Sequence, residues 1–272
     1  MADNSMDMMM PAAELNAENF MPADVLADWV RPLTAEFIGA FALTFLGAGS
    51  ILLAATQKGY NDGGTLVMVA LAHGLAIGLM VAAAGHISGG HYNPAVTVGL
   101  WLGAKIGAMK SLGYIVVQLL GALAAALILK QLFDDSTAVF AKSIPSVNYS
   151  GDGDGIIVGR ANALIIEAIL SFFLVYVVYG TAVDKRGPHA VASLAIGLII
   201  SADILMAGPL TGAAMNPSRW FGVAIVDGTL DDGWIYWVGP IAGAALAAVV
   251  QSYILIPKER AGAAAEPTEH HG

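Results

Sequence analysis

His86-Ile87-Ser88-Gly89-Gly90-His91-Tyr92-Asn93-Pro94-Ala95-Val96-Thr97 and Gly212-Ala213-Ala214-Met215-Asn216-Pro217-Ser218-Arg219 decide the fold of this chain. Each stretch contains Asn-Pro and a small residue: Asn93-Pro94-Ala95 in the first, Asn216-Pro217-Ser218 in the second. Asn is a strong helix N-cap because its side-chain oxygen accepts from the first free backbone N–H groups, and Pro is favoured at the first helical position. Both triplets therefore read as helix starts. A run of about ten mostly apolar residues follows each, too short for a bilayer core that takes about 20. Two short helices, one per half of the chain, imply re-entrant elements and a pore whose middle is built from helix ends.

The rest of the chain supplies the bilayer-crossing lengths. It has 272 residues, of which 57% are hydrophobic and only 12% charged, where a soluble domain carries roughly 25% charged residues. Mean hydropathy is +0.70. Charge-poor runs cover residues 37–57, 63–104, 111–129, 161–183, 190–218 and 233–257. The second and fifth are long enough for one span plus a short helix or its approach. This predicts an all-α membrane protein with six transmembrane helices and two re-entrant half-helices. Residues 1–32 read as an acidic tail with no cleavable signal, 33–257 as the channel domain, with halves at 33–133 and 161–257, and 258–272 as a second tail.

Of 12 Lys and Arg, seven (Arg31, Lys105, Lys110, Lys185, Arg186, Lys258, Arg260) fall on the side that holds both termini. Four (Lys58, Lys130, Lys142, Arg160) fall on the other. By the positive-inside rule both termini are expected in the cytoplasm. The net charge of −9 comes from the N-terminal tail and loop aspartates, and with zero Cys no disulfide or thiolate site is available.

The two halves look like an inverted repeat. Glu36 opens the first span and Glu167 lies near the start of the fourth; Asn93 and Asn216 follow them by 57 and 49 residues. Gln118-Leu119-Leu120-Gly121-Ala122 lies 25 residues after Asn93, and Pro240-Ile241-Ala242-Gly243-Ala244 lies 24 after Asn216. Three spans per half is an odd number, so the halves run oppositely through the membrane and their short helices meet near its middle. Gly74/Gly78, Gly103/Gly107 and Gly239/Gly243 have the spacing that lets membrane helices approach closely.

These motifs resemble the aquaporins, the major intrinsic proteins, over roughly residues 33–256. The resemblance implies a passive water channel that excludes protons and ions, assembled as a homotetramer in a lipid bilayer. Its filter positions are His73, Ile204, Ala213 and Arg219, which look like those of the plant tonoplast subfamily, as does Ala202-Asp203-Ile204-Leu205. Water-selective relatives typically resemble Phe, His, Cys, Arg, and glycerol-conducting ones Trp, Gly, Phe, Arg. Ile and Ala widen the ring and make it more apolar, which extends the expected permeants to small neutral solutes such as ammonia or urea. Ser218 departs from the family's usual Ala. The alternatives are a glycerol facilitator and an inverted-repeat secondary transporter.

The remaining site expectations concern the loops. Gly89, Gly90, His91 and Tyr92, and Gly212, Ala214 and Met215, are expected as extended backbone lining the pore, since non-helical backbone at this depth needs a wet cavity. Glu36 and Glu167 are expected to hydrogen-bond those loops, and His73 to offer permeants an uncharged donor. Tyr114, Gln118, Trp234, Tyr236 and Trp237 read as packing and interface anchors. No nucleophile–base constellation or metal cluster is visible, so an enzyme, a cofactor, a metal site and a nucleic-acid partner are not expected.

Overall fold

The structure, a computed structural model, describes residues 22–56, 63–133, 140–149 and 156–256. Residues 1–21 and 258–272 of the two tails lie outside the described residues, as do Pro257 and, of the charge count, Lys58, Lys258 and Arg260. Among the described residues eight helices carry the fold: α1 (Ala23–Ala55), α2 (Gly63–Ser88), α3 (Pro94–Leu102), α4 (Ala108–Leu132), α5 (Arg160–Val183), α6 (His189–Thr211), α7 (Pro217–Asp227) and α8 (Ile235–Leu255). Six are long and apolar enough to cross a membrane. The other two, α3 and α7, have 9 and 11 residues and begin at the prolines of the two triplets.

The first helix starts at Ala23, so the boundary expected at residue 33 falls inside it. Pro32 lies within it, and its missing N–H and its ring break a regular i→i−4 ladder. Here the backbone widens into a π-type turn over Leu26–Val30 just before Pro32, and the helix continues.

Burial is inverted relative to a soluble bundle. Leu71, Leu75 and Leu79 on α2 and Leu194 and Leu198 on α6 are exposed, while the interior is dominated by Ala and Gly. Lipid tails are as apolar as leucine, so association rests on close backbone approach at small residues. α1 packs on α2 and α4, α5 packs on α6 and α8, and α2 crosses α6. A Cβ at Gly121 would run into the Phe37 carbonyl and one at Gly243 into the Ala168 carbonyl, each one residue beyond a buried glutamate. Gly74 and Gly197 meet at the α2–α6 crossing. Gly107 had been read as half of a packing pair, but a Cβ there meets open space; it precedes α4 as its N-cap.

The short helices tie the halves together. α3 packs mainly on α8 and α7 on α4, so each seats against the last span of the other half. Gly99 faces Ala244 and Gly222 faces Ala122 at these contacts.

Candidate functional site

Asn93 and Asn216 have extended backbones (φ −156°, ψ 122° and φ −140°, ψ 106°), and their side chains cap α3 and α7. Asn93 Oδ1 accepts from Ala95 N at 2.8 Å, and Asn216 Oδ1 from Ser218 N at 3.0 Å. With the oxygens turned to their own helices, the amide nitrogens point away. Asn93 Nδ2 donates to the Met215 carbonyl and Asn216 Nδ2 to the Tyr92 carbonyl, both at 2.9 Å. Each asparagine thus clasps the opposite loop with one N–H and keeps its second for the space between them.

The loops are not simply extended. Gly89 (φ 94°), Gly90 (φ 66°) and Tyr92 (φ 50°) are left-handed in the first, and Gly212 (φ 80°), Ala213 (φ 45°) and Met215 (φ 52°) in the second. Left-handed backbone costs an L-residue about 1–2 kcal/mol, so Tyr92, Ala213 and Met215 need external support. A buried carboxylate supplies it behind each loop. Glu36 accepts from His91 N at 2.9 Å, Tyr92 N at 2.6 Å, Ser88 Oγ at 2.7 Å and Gln118 Nε2 at 2.7 Å. Glu167 accepts from Ala214 N at 2.9 Å, Met215 N at 2.8 Å and Thr211 Oγ1 at 2.7 Å. Hydrogen bonds to a carboxylate are roughly twice as strong as neutral ones, and here they hold two loops with three left-handed residues each in one shape.

Tyr114 and Gln118, read from sequence as packing residues, belong to this bracing. Tyr114 OH donates to the Ser88 carbonyl, and Gln118 Nε2 reaches Thr97 Oγ1 as well as Glu36. Tyr236 OH donates to the Thr211 carbonyl in the same way. Their acceptors are backbone, carboxylate or hydroxyl oxygens at least 21 residues away, for which side-chain spacing carries no signature.

Between the loops runs a cavity of about 30 Å³, against the ~10–15 Å³ that one water needs. Asn93, Asn216, His73, His91 and Arg219 supply its polar side groups, with Gly90, Ala213, Ala214 and Met215 between them. Leu43, Ile77, Val96, Leu174, Val178, Ile196, Ile200 and Ile204 form the apolar wall. Three loop residues expected in the lining lie off it. Tyr92 packs its ring over Gly39 and donates its OH to the Met80 carbonyl, Gly212 abuts Pro145, and Gly89 is exposed. Glu36 and Glu167 stand behind the loops rather than in the cavity.

His73, Ile204, Ala213 and Arg219 all border this one cavity. Arg219 Nε donates to His73 Nε2 at 3.2 Å, and His73 Nδ1 lies 2.8 Å from the Val69 carbonyl. A carbonyl only accepts, so Nδ1 carries the proton and Nε2 offers the guanidinium a lone pair. His73 therefore aims Arg219 instead of offering permeants a donor, which corrects the role expected of it. Its ring covers Gly47, where a Cβ would lie 2.5 Å from it. Arg219 NH1 donates to the Ser143 carbonyl at 3.1 Å. Ser143 escaped the sequence reading because a backbone carbonyl on the connecting segment leaves no side-chain signal. Asp203 is buried with Oδ2 unpartnered among the described residues and does not line the cavity; His86 is exposed.

Helix N-termini carry partial positive charge and free N–H groups. Two of them, with an arginine, make a narrow electropositive passage through an apolar bundle. Fold and site together define a multi-pass membrane channel protein.

The profile of the family described as Major intrinsic protein matches residues 25–251. The chain is 42% identical over 252 residues to a probable aquaporin TIP3-2 of Arabidopsis thaliana, covering 89% of this chain and 88% of that one. It is 43% identical over 236 residues to aquaporin TIP1-2 of Zea mays, covering 84% and 87%. Among solved structures, the aquaglyceroporin from Plasmodium falciparum matches with a TM-score of 0.72 and 26% identity over 84% of this chain and 97% of that one. The chain belongs to the major intrinsic protein family, the aquaporins, whose members are membrane channels and not enzymes.

Proposed function

We propose that this chain conducts water passively and in single file, admits small neutral solutes such as ammonia and urea, and excludes protons and ions. The observation that carries the reading is the pair of asparagine amides on one narrow cavity, each fixed by its own helix and by the opposite loop. A passing water accepts from the two free N–H groups and turns its oxygen to the centre, so its neighbours cannot relay a proton through it. The apolar wall offers no competing partners, which keeps the file moving. At Arg219 the guanidinium repels cations, and its width and donors set which solutes shed their water there. Ile204 and Ala213 make that ring wider and less polar, in favour of ammonia and urea. We read the two short helices as entering from opposite faces, the termini as cytoplasmic, and the assembly as a homotetramer.

Stopped-flow light scattering on proteoliposomes under osmotic, urea and glycerol gradients tests this reading. Fast, non-saturating water flux with slow glycerol entry is expected. The likeness to an aquaglyceroporin favours glycerol as the second reading, and rapid glycerol entry decides for it. Saturating flux coupled to an ion gradient indicates a transporter instead. Arg219→Val is expected to keep water flux and raise urea and glycerol entry severalfold. His73→Phe keeps the width but frees the guanidinium, and is expected to change solute ratios in the same direction by less.

A further inference from the structure

The two triplets differ at their third residue, Ala95 against Ser218, and the hydroxyl is not idle. Ser218 Oγ donates to Asn216 Oδ1 at 2.8 Å, and the same oxygen accepts from Ser218 N at 3.0 Å and Arg219 N at 3.3 Å. Among the described residues Asn93 Oδ1 accepts only from Ala95 N, at 2.8 Å. Ser218 is 1% exposed, so no solvent competes for its proton.

Two physical effects follow. Three donors converging on one oxygen oppose rotation of the amide about its Cβ–Cγ bond, which would otherwise swing the acceptor toward the cavity. Hydrogen bonds in series also polarise one another: an amide oxygen that accepts more draws density from its nitrogen and strengthens the Nδ2–H donors. One of those donors holds the Tyr92 carbonyl and the other is left for the cavity.

We propose that Ser218 is a positioning residue that locks the Asn216 amide as a firmer and stronger donor than Asn93, so that the second triplet carries the larger share of the proton barrier. The proposal rests on the channel reading above. A fixed donor forces every passing water to present its oxygen. An amide free to turn presents its own oxygen part of the time, and a water that donates to it keeps a lone pair for its neighbour and restores the proton wire.

The test compares the wild type, Ser218→Ala and Ser218→Thr in proteoliposomes, reading osmotic water flux by light scattering and proton leak with an entrapped pH dye under an imposed gradient. Ser218→Ala removes one oxygen atom, so water flux within twofold of wild type reports an intact pore; proton leak is then expected to rise by about fivefold, the equilibrium worth of one neutral hydrogen bond. Ser218→Thr keeps the hydroxyl and is expected to leak like the wild type. Unchanged leak in Ser218→Ala with water flux intact overturns the proposal and leaves the channel reading standing. If Ser218→Ala loses water flux too, a normal Ser218→Thr supports the hydroxyl's role, and a dead one shows a packing role and overturns it. A wild type without water flux overturns the channel reading, and the proposal with it.

Discussion

Behind the first loop, Glu36 holds the His91 and Tyr92 amides, Ser88 Oγ closes on the same carboxylate, and Tyr114 pins the Ser88 carbonyl. Behind the second, Glu167 holds the Ala214 and Met215 amides, Thr211 Oγ1 closes on it, and Tyr236 pins the Thr211 carbonyl. Even the signs of φ repeat, with left-handed residues four, three and one before each asparagine. In front of the loops this likeness ends. Counting from each asparagine, the first half puts His91 where the second has Ala214, and Val96 where the second has Arg219. His73 likewise answers to Ile196. Residues that hold backbone shape match across the repeat, and beside the two asparagines several residues that face the cavity diverge. Shape is a requirement shared by both helix starts; the charge of Arg219 need be built only once.

The strongest way to break the comparison is to remove its braces. Glu36→Ala leaves four donors without their acceptor and Glu167→Ala three. At about 1–3 kcal/mol for each buried unsatisfied group, both are expected to unfold far earlier in detergent thermal melts, with Glu36→Ala the worse. Equal and mild effects would show that the loops hold their shape without the carboxylates.

A second test asks whether the packing is as symmetric as the bracing. Gly121→Ala and Gly243→Ala each drive a methyl into a carbonyl of the helix that bears the glutamate. Each is expected to cost about 1–3 kcal/mol, and the two melting shifts to agree closely. A large disparity would confine the repeat to the loops.

The smallest effect belongs to the one brace without a counterpart. Gln118 bridges Glu36 and Thr97, and the matching position in the second half is Pro240. Gln118 Oε1 is itself buried without a partner among the described residues, so Gln118→Leu trades two good bonds against one uncompensated oxygen. We expect a loss of about 1 kcal/mol in stability with water flux retained, read from thermal melts beside flux. A collapse as severe as that of Glu36→Ala would make Gln118 an equal member of the brace.

Much of this site was legible because its chemistry uses residues with strong local meaning. Asn-Pro announces a capped helix start, a run of about ten apolar residues rules out a crossing, and a lone glutamate at the head of an apolar span demands donors. Legibility failed where the partner is backbone. The roles of Tyr114 and Tyr236 depend on a distant carbonyl, though both sit four residues before the matched pair Gln118 and Pro240, which was a usable hint. Ser143 contributes only its carbonyl to Arg219. Gly89 and Gly212 hinted at left-handed turns, but Tyr92 and Met215 adopt them against their own preference, a property of the carboxylate behind them and not of their side chains. His73 borders the cavity, and the direction of its proton depends on Val69 and Arg219, which only three dimensions bring together.

The crossed seating of the short helices bears on how the molecule is made. α3 is synthesised well before the helix it rests on, α8, and Gly99 has no Ala244 to meet until then. The braces of the first Asn-Pro loop, Glu36, Ser88, Tyr114 and Gln118, all precede α8 in the chain, so the loop has its backbone support before the short helix that follows it has its seat.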